Sequence, residues 1–333
     1  MPLQGRIQSK SVASIGPFFR QTHSVQWRTF VCTLKLPILL PLAEIQGRIP
    51  LLQNLSVYGD IRARSAATKA ITAFSDAPDL REAALHDISL GWISLPWAQL
   101  TRLECNGQSV YECVEILHHT HRLEILSVTL GRHRVGAPPP PIRLDCLHTL
   151  TLSAPLQNNM ALLYFLTLPA LQHLDIIDEA SAGKLFEFLT RSQCRLRSIS
   201  LSADPTFGRP EPFAGVPVLE AVGTVNAVNL HRLASSKDLI QIFSRIATDP
   251  GFLPNLDTLC IEQCWSKIPY PEVIKMLQAR WYGRSNGSTR FKSFRFARDP
   301  RSLPSISWPA ERLLSELLGD LVTDGLEFVA QTR

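Results

Sequence analysis

Few residues of this chain have the chemistry for catalysis or metal binding, and their spacing matches no known site. His118, His119 and His121 follow Glu115 and form the densest run of possible metal ligands. On a helix Glu115 and His119 would share one face, but a zinc site needs a further protein ligand that the sequence does not identify. We therefore expect this run to lie in solvent or to cap the end of a helix.

Cysteine and nucleophile motifs are equally weak. Cys260 and Cys264 form a C-x-x-x-C pair with no second pair, and we expect Cys260 on the outward side of a strand. The chain has no Gly-x-Gly-x-x-Gly, no phosphate-binding Gly-Lys-Ser/Thr loop, no His-Glu-x-x-His and no Gly-x-Ser-x-Gly. We predict that the protein is not an enzyme, has no catalytic residues, and needs neither a metal nor a cofactor.

The elements that position these side chains are indicated by a recurrent phrase, with aliphatic residues at its first, fourth and sixth positions. It is plainest at Leu123-Glu-Ile-Leu126-Ser-Val128, Leu147-His-Thr-Leu150-Thr-Leu152, Leu171-Gln-His-Leu174-Asp-Ile176 and Leu196-Arg-Ser-Ile199-Ser-Leu201. Their first residues are 24, 24 and 25 apart. Such a period is typical of leucine-rich repeats, with one strand and one helix per unit. The sequence therefore predicts an α/β solenoid with a parallel strand array on its inner face and helices on its outer face.

Weaker copies of the phrase extend the predicted array to about eleven units. They begin at Trp27, Leu52, Leu80 and Leu100, and at Leu219, Leu256 and Phe291. Segments with helical periodicity lie between the phrases, at 110–118, 160–167, 185–190, 239–247 and 273–281. We predict an incomplete, partly disordered first-repeat helix at 1–26, the repeat array at 27–307, and a C-terminal capping helix and tail at 308–333. The apolar stripe of this helix is expected to comprise Leu313, Leu314, Leu317, Leu318 and Leu321.

Composition bounds the class of protein. Hydrophobic residues make up 45% of the 333 residues and charged residues 19%, which suits a continuous core. No run of about 18 apolar residues is present, so we expect no membrane span. The seven cysteines are an odd number without paired spacing, which favours a reducing compartment. We predict a monomer in the cytoplasm or nucleus.

Several segments resemble the repeat region of basidiomycete-type fungal F-box proteins. They are Ala-Pro-Asp-Leu-Arg-Glu and Leu-Pro-Trp-Ala-Gln-Leu-Thr-Arg-Leu within 75–103, Gly47-Arg-Ile-Pro-Leu-Leu-Gln-Asn-Leu, Leu168-Pro-Ala-Leu-Gln-His-Leu and Phe188-Leu-Thr-Arg-Ser-Gln-Cys-Arg-Leu. The resemblance runs from about residue 17 to about residue 325. It implies a repeat array that recognises the substrate of a ubiquitin ligase. The F-box that binds a Skp-type adaptor is missing, so an adaptor is expected only if an F-box lies upstream.

Strand alternation predicts which side chains face a partner. Residues flanking the second and third aliphatic positions of each phrase should point away from the core. The proposed contact set on the inner face is Tyr58, His86, Arg102, Glu104, His173, Asp175, Glu262, Lys292 and Arg295. Because this set is polar and extended, it favours a protein substrate or a peptide over a small molecule, which prefers an apolar concavity.

A second hypothesis comes from charge. Residues 265–301 contain nine basic and two acidic residues, with several aromatic residues nearby. A nucleic-acid or chromatin-associated binder would use such a stripe. Phe291, Phe294 and Phe296, however, occupy the aliphatic positions of a phrase and are expected in the core. We therefore expect a protein partner and keep nucleic acid as the alternative.

Overall fold

The computed structural model describes residues 22–34, 42, 44–59, 70–131, 140–153, 159–177, 182–202, 215–231, 236–262, 269–283, 290–298, 316 and 318–332. The fold is α/β, with a large parallel sheet of twelve strands that neighbour one another in chain order. The chain divides into a first unit, Met1–Leu156 with Tyr164–Ala170, and a second unit, Gln157–Leu163 with Leu171–Arg333.

The first unit contributes six strands to the large sheet. These are β1 (Thr29–Leu34), β2 (Asn54–Gly59), β3 (Glu82–His86), β4 (Arg102–Gln108), β5 (Ile125–Leu130) and β7 (Thr149–Ser153). Two short strands, β6 (Ile142–Arg143) and β8 (Leu166–Thr167), pair with each other in a separate parallel sheet. Helix α1 (Val110–Leu117) starts with a capping box, in which Ser109 accepts the backbone N–H of Glu112 and the Glu112 carboxylate accepts the N–H of Ser109. Short 3₁₀ turns lie at Thr22–Gln26, Leu90–Trp92 and Trp97–Gln99.

The second unit contributes the other six strands and most of the helices. The strands are β9 (His173–Ile177), β10 (Ser198–Ser202), β11 (Ala227–His231), β12 (Thr258–Glu262), β13 (Ser293–Arg298) and β14 (Glu327–Thr332). The helices are α2 (Asn159–Leu163), α3 (Ala182–Ser192), α4 (Gly215–Ala221), α5 (Ser236–Thr248), α6 (Tyr270–Tyr282) and α7 (Gly319–Thr323).

The aliphatic positions of the phrase form the buried side of each strand. In the first unit Phe30 aligns with Leu55 and Ala83, and the next strands continue the row with Leu103, Leu126 and Leu150. All of these residues are buried. Burying one such large aliphatic side chain stabilises the fold by about 1.5–3 kcal/mol. The alternating burial of successive strand residues follows from the two-residue period of the extended chain.

The phrase predicted at Leu219 is placed wrongly. Leu219 lies in helix α4 and Val222 in the turn just after it, and strand β11 carries the phrase Val225-Asn-Ala-Val228-Asn-Leu230 instead. The steps from Leu196 and to Leu256 become 29 and 31 residues, in place of 23 and 37. Leu219 and Val222 misled the assignment because a spacing of three residues fits both the phrase and one face of a helix.

The C-terminal segment contains a strand that the sequence did not predict. Residues 308–333 were predicted as a capping helix and a tail, but β14 pairs in parallel with β13 and extends the sheet. The register with β13 shows why the phrase was not recognised in β14. Its first aliphatic position is occupied by Gly325, with φ of +105°, and its third by Ala330, which lies opposite Phe296. Leu318 and Leu321 are buried, as expected for the cap, but Leu313, Leu314 and Leu317 lie outside the described residues.

In the part of the chain that the structure describes, no helix combines the length and apolar character needed to cross a bilayer. The six cysteines within those ranges carry free thiols.

Candidate functional site

The candidate site is the outward face of the sheet, formed by strand side chains that alternate with the buried aliphatic residues. This side corresponds to the inner face of the predicted solenoid. Its part in the first unit, called here the first face, comprises Tyr58, His86, Arg102, Glu104 and Asn106. Its part in the second unit, called here the second face, comprises His173, Asp175, His231, Glu262 and Arg295.

An aromatic stack is the most ordered feature of the first face. Tyr58 and His86 are register partners on β2 and β3, and their rings stack with centroids 4.4 Å apart and planes inclined by 6°. Tyr58 remains 40% exposed. The stack presents a flat, amphipathic surface whose conformational freedom is already restricted.

A hydrogen bond fixes the tautomer of His86. The amide nitrogen of Asn106, its register partner on β4, lies 2.5 Å from Nδ1 of His86. Because an amide nitrogen can only donate, Nδ1 is the acceptor and the ring proton of the neutral imidazole lies on Nε2. That nitrogen is 3.9 Å from the Glu104 carboxylate. The imidazole therefore has a defined orientation before any partner arrives.

A close backbone approach supports the same stack. Gly59 follows Tyr58, and Asp87, with φ of 54°, follows His86. A Cβ atom at Gly59 would lie 2.3 Å from the carbonyl oxygen of Asp87, a distance that real side chains do not adopt. The ends of β2 and β3 can approach this closely because residue 59 is glycine.

Charged residues flank the stack. Arg102 is exposed and aligns with Glu82 on the neighbouring strand β3. Glu104 lies two residues further along β4 and is half-buried. The first face therefore combines one aromatic platform with side chains of both signs.

The second face carries a row of linked polar side chains. His173 Nδ1 lies 2.7 Å from the hydroxyl oxygen of Ser198, its register partner. His231 Nδ1 lies 3.4 Å from the carboxylate of Glu262, on the neighbouring strand. These contacts link strands that are far apart in the sequence.

Asp175 is the most perturbed carboxylate of the second face. Burial raises its pKa, while a hydrogen bond from Ser200 and the nearby His231 act in the opposite direction. Its Oδ1 atom is buried and has no hydrogen-bond partner. Asp175 on β9 and Glu262 on β12 thus lie on either side of β11, the strand that carries His231.

Two basic residues of the predicted set, Arg295 and Lys292, are already paired with carboxylates. Arg295 donates to the Glu327 carboxylate at 2.9 Å and to the Ser293 hydroxyl at 3.3 Å. The pKa of Glu327 is lowered, first by its hydrogen bond with Ser293 and then by Arg295. Lys292 requires a correction, because β13 begins at Ser293, which occupies the outward position. The Lys292 ammonium instead lies 2.6 Å from the Asp257 carboxylate, before the strand starts.

The possible metal ligands do not come together. Glu115 lies on α1, His118 is its C-cap, and His119 and His121 are exposed beyond it. Among the residues that the structure describes, no three His, Cys, Asp or Glu side chains are grouped closely enough to hold an ion.

Several of the described thiols are buried, and burial makes a thiol a poorer nucleophile. Cys260 lies on the outward side of its strand, as expected, aligned with Asn229 and Arg295, but neighbouring side chains bury it and its thiol lies 3.5 Å from the Glu262 carboxylate. Cys264 lies outside the described residues. Burial raises the pKa of Cys32 to about 12 and also raises the pKa of Cys105 and Cys113. A catalytic thiol needs the opposite shift.

The basic segment 265–301 is only partly a surface feature. Arg280 is 4% exposed and donates to the backbone carbonyls of Ile246 and Phe252. Phe291, Phe294 and Phe296 are buried, as the phrase predicted. With Lys292 and Arg295 paired to carboxylates, these contacts add no support for nucleic-acid binding.

Sequence analysis missed His231, because the repeat was assigned six residues too early. The signal was present in the phrase that starts at Val225. It also missed Asn229 for the same reason, and it missed Glu327 because β14 was not predicted.

Comparison with known proteins adds no identification. No protein-family model matches the chain, and no curated protein matches it significantly. The resemblance to fungal F-box proteins therefore stays a prediction.

Proposed function

We propose that the chain is a leucine-rich-repeat solenoid that acts as a non-catalytic protein-interaction module. Its outward face is the binding surface, and a protein or an extended peptide is the partner. The observation that carries this proposal is the ordered first face, where the Tyr58–His86 stack and the Asn106–His86 hydrogen bond restrict the side chains in advance. Because their side-chain entropy is already reduced, less is lost when a partner binds.

The chemistry of the first face favours a protein over a small ligand. Tyrosine and arginine are the residue types most often found at energetic hot spots of interfaces, and Tyr58 and Arg102 are both exposed here. Side chains of both signs are spread over neighbouring strands, which suits a partner that spans several of them. A small molecule would instead favour an apolar concavity.

By resemblance, the partner is the substrate of a ubiquitin ligase, with this array as the recognition part of an F-box receptor. Contact with a Skp-type adaptor is proposed only where an F-box accompanies the repeats. The cytoplasm or the nucleus is the compartment that fits this role.

Affinity purification with chemical crosslinking tests the proposal. We would compare the parent chain with a Tyr58→Ala/His86→Ala variant and with a matched control, Phe186→Ala, which removes a 59% exposed aromatic side chain of α3. A specific partner should crosslink to the outward face, and the double variant should bind it at least about tenfold more weakly. The control should bind like the parent.

The opposite pattern contradicts the proposal. If the double variant retains the partner while Phe186→Ala loses it, binding takes place on a helix and the outward face is not the site. Thermal unfolding of all three chains ensures that lost binding is not lost folding.

A further inference from the structure

A cleft of about 400 Å³ lies where the chain enters the last three strands of the second unit, away from the outward face. Ligand sites in proteins are about 300–1,000 Å³, so the cleft is large enough for a small organic group. Its walls come from the end of α6 and from the residues just before β12, β13 and β14. They include Asp257, Trp281, Arg290, Phe291, Lys292 and Asp324.

Arg290 is the unusual member of this cleft. Its guanidinium lies 3.7 Å from the centre of the Trp281 ring, which is itself 2% exposed. Its Nε atom is buried and has no hydrogen-bond partner. No carboxylate of a described residue forms an ion pair with it, although both Asp257 and Asp324 line the same cleft. The cation is thus held in place by an aromatic ring, with no counter-ion among the described residues.

The other charges of the cleft are already engaged. Lys292 and Asp257 form a close pair, with nitrogen and oxygen 2.6 Å apart. The Asp324 carboxylate accepts a long bond of 3.5 Å from the indole N–H of Trp281. Because two cations and two carboxylates line the cleft, their charges sum to zero, and a dianion would be repelled by both aspartates. A singly charged anion fits better.

Apolar surface completes the cleft. Trp281 and Phe291 line the cleft but are 2% and 1% exposed, so only their edges reach it, whereas a Cβ atom placed on Gly325 would meet nothing within 4 Å. This open space can hold a hydrocarbon group.

We infer that this cleft binds a carboxylate attached to an apolar group, with the carboxylate on Arg290 and the apolar group in the open space beside Gly325. A guanidinium matches a carboxylate through two parallel N–H···O bonds, and the aromatic ring keeps its plane oriented for them. The carboxylate can belong to a free organic acid or to the C-terminus of a peptide. The inference does not depend on the proposed function, because the cleft is separate from the outward face.

Calorimetric titration of the full chain with phenylacetate tests the inference. Phenylacetamide has the same shape without the charge, and we expect it to bind at least about tenfold more weakly. Arg290→Gln should weaken phenylacetate binding by a similar factor. The matched control is Arg245→Gln on α5, whose guanidinium lies over the Phe252 ring but is paired with Glu220 and Asp249 outside the cleft, and which should bind phenylacetate like the parent.

Further arms separate the sources of the carboxylate. A short peptide ending in phenylalanine is compared with its C-terminal amide. Selective binding of the free acid form assigns the cleft to peptide C-termini, while binding of phenylacetate alone assigns it to small organic acids. Either result supports the inference.

Three results overturn it. They are no binding of phenylacetate by the parent chain, equal binding by Arg290→Gln, and tighter binding of phenyl phosphate than of phenylacetate. Arg290→Lys covers the case in which Arg290→Gln fails to fold, because lysine keeps the charge but loses the planar pair of donors and should also weaken binding.

Discussion

Replacing Leu174 with alanine tests the strand register on which both the fold and the outward face depend. Leu174 is 1% exposed in β9, between His173 and Asp175, which belong to the outward face. Removing a buried leucine side chain costs about 2–5 kcal/mol of unfolding free energy, through lost burial and the cavity left behind. The neighbouring change, His173→Ala, removes an exposed ring and its contact with Ser198, and should cost about 0.5–1.5 kcal/mol.

Urea unfolding of the three chains, followed by far-ultraviolet circular dichroism, measures this difference. Because the repeat array proposed here would be able to unfold in steps, hydrogen exchange of the β9 and β10 amides should accompany it. The expected order of stability is parent, then His173→Ala, then Leu174→Ala. Leu174→Asp should be less stable still, since it buries a carboxylate without a partner. If His173→Ala loses as much stability as Leu174→Ala, the assigned alternation of β9 is wrong.

Two further predictions concern the two faces. The pKa of Asp175 is raised above 3.8 in the folded chain, so between these two pKa values the folded chain binds more protons than the unfolded chain. Stability therefore falls as the pH rises through that window. Asp175→Asn should therefore be more stable than the parent at neutral pH, and this gain should disappear in acid. Urea titrations at several pH values measure the difference in unfolding free energy between the two chains, and a difference that does not change with pH would contradict the prediction. Gly59→Ala should destabilise the chain by about 1–3 kcal/mol, because its methyl group would clash with the Asp87 carbonyl. Gly91→Ala meets open space and is the control in thermal unfolding, where equal losses for both variants would contradict the close approach.

The strands were predictable because their signal is local. At Leu174 and Ile176 an apolar residue recurs at every second position, and this pattern alone assigns one side of a strand to the core. The prediction failed where two structures share a spacing or where the pattern is broken. Leu219 and Val222 fit a helix as well as a strand, and Gly325 replaces an aliphatic residue just before β14.

The contacts of the candidate site could not be predicted in the same way. The sequence placed Tyr58 and His86 on one side of their strands, but their stacking depends on a register between residues 28 positions apart. The same holds for His231 and Glu262, which are 31 positions apart. The cleft at Arg290 had no sequence signal, because its walls come from four separate segments.

The sequence by itself determined which residues enter the core of most strands, and the 24- to 25-residue period of its plainest phrases, with helical segments between them, indicated the parallel α/β fold. Alternation is a property of a few consecutive residues, and the backbone geometry of a strand is enough to interpret it. Only the tertiary structure decided which outward side chains touch and which charges are already paired, such as Lys292 with Asp257. Those contacts depend on the register between neighbouring strands. The loops and helices between two strands set this register, so it cannot be inferred from a short segment of the sequence.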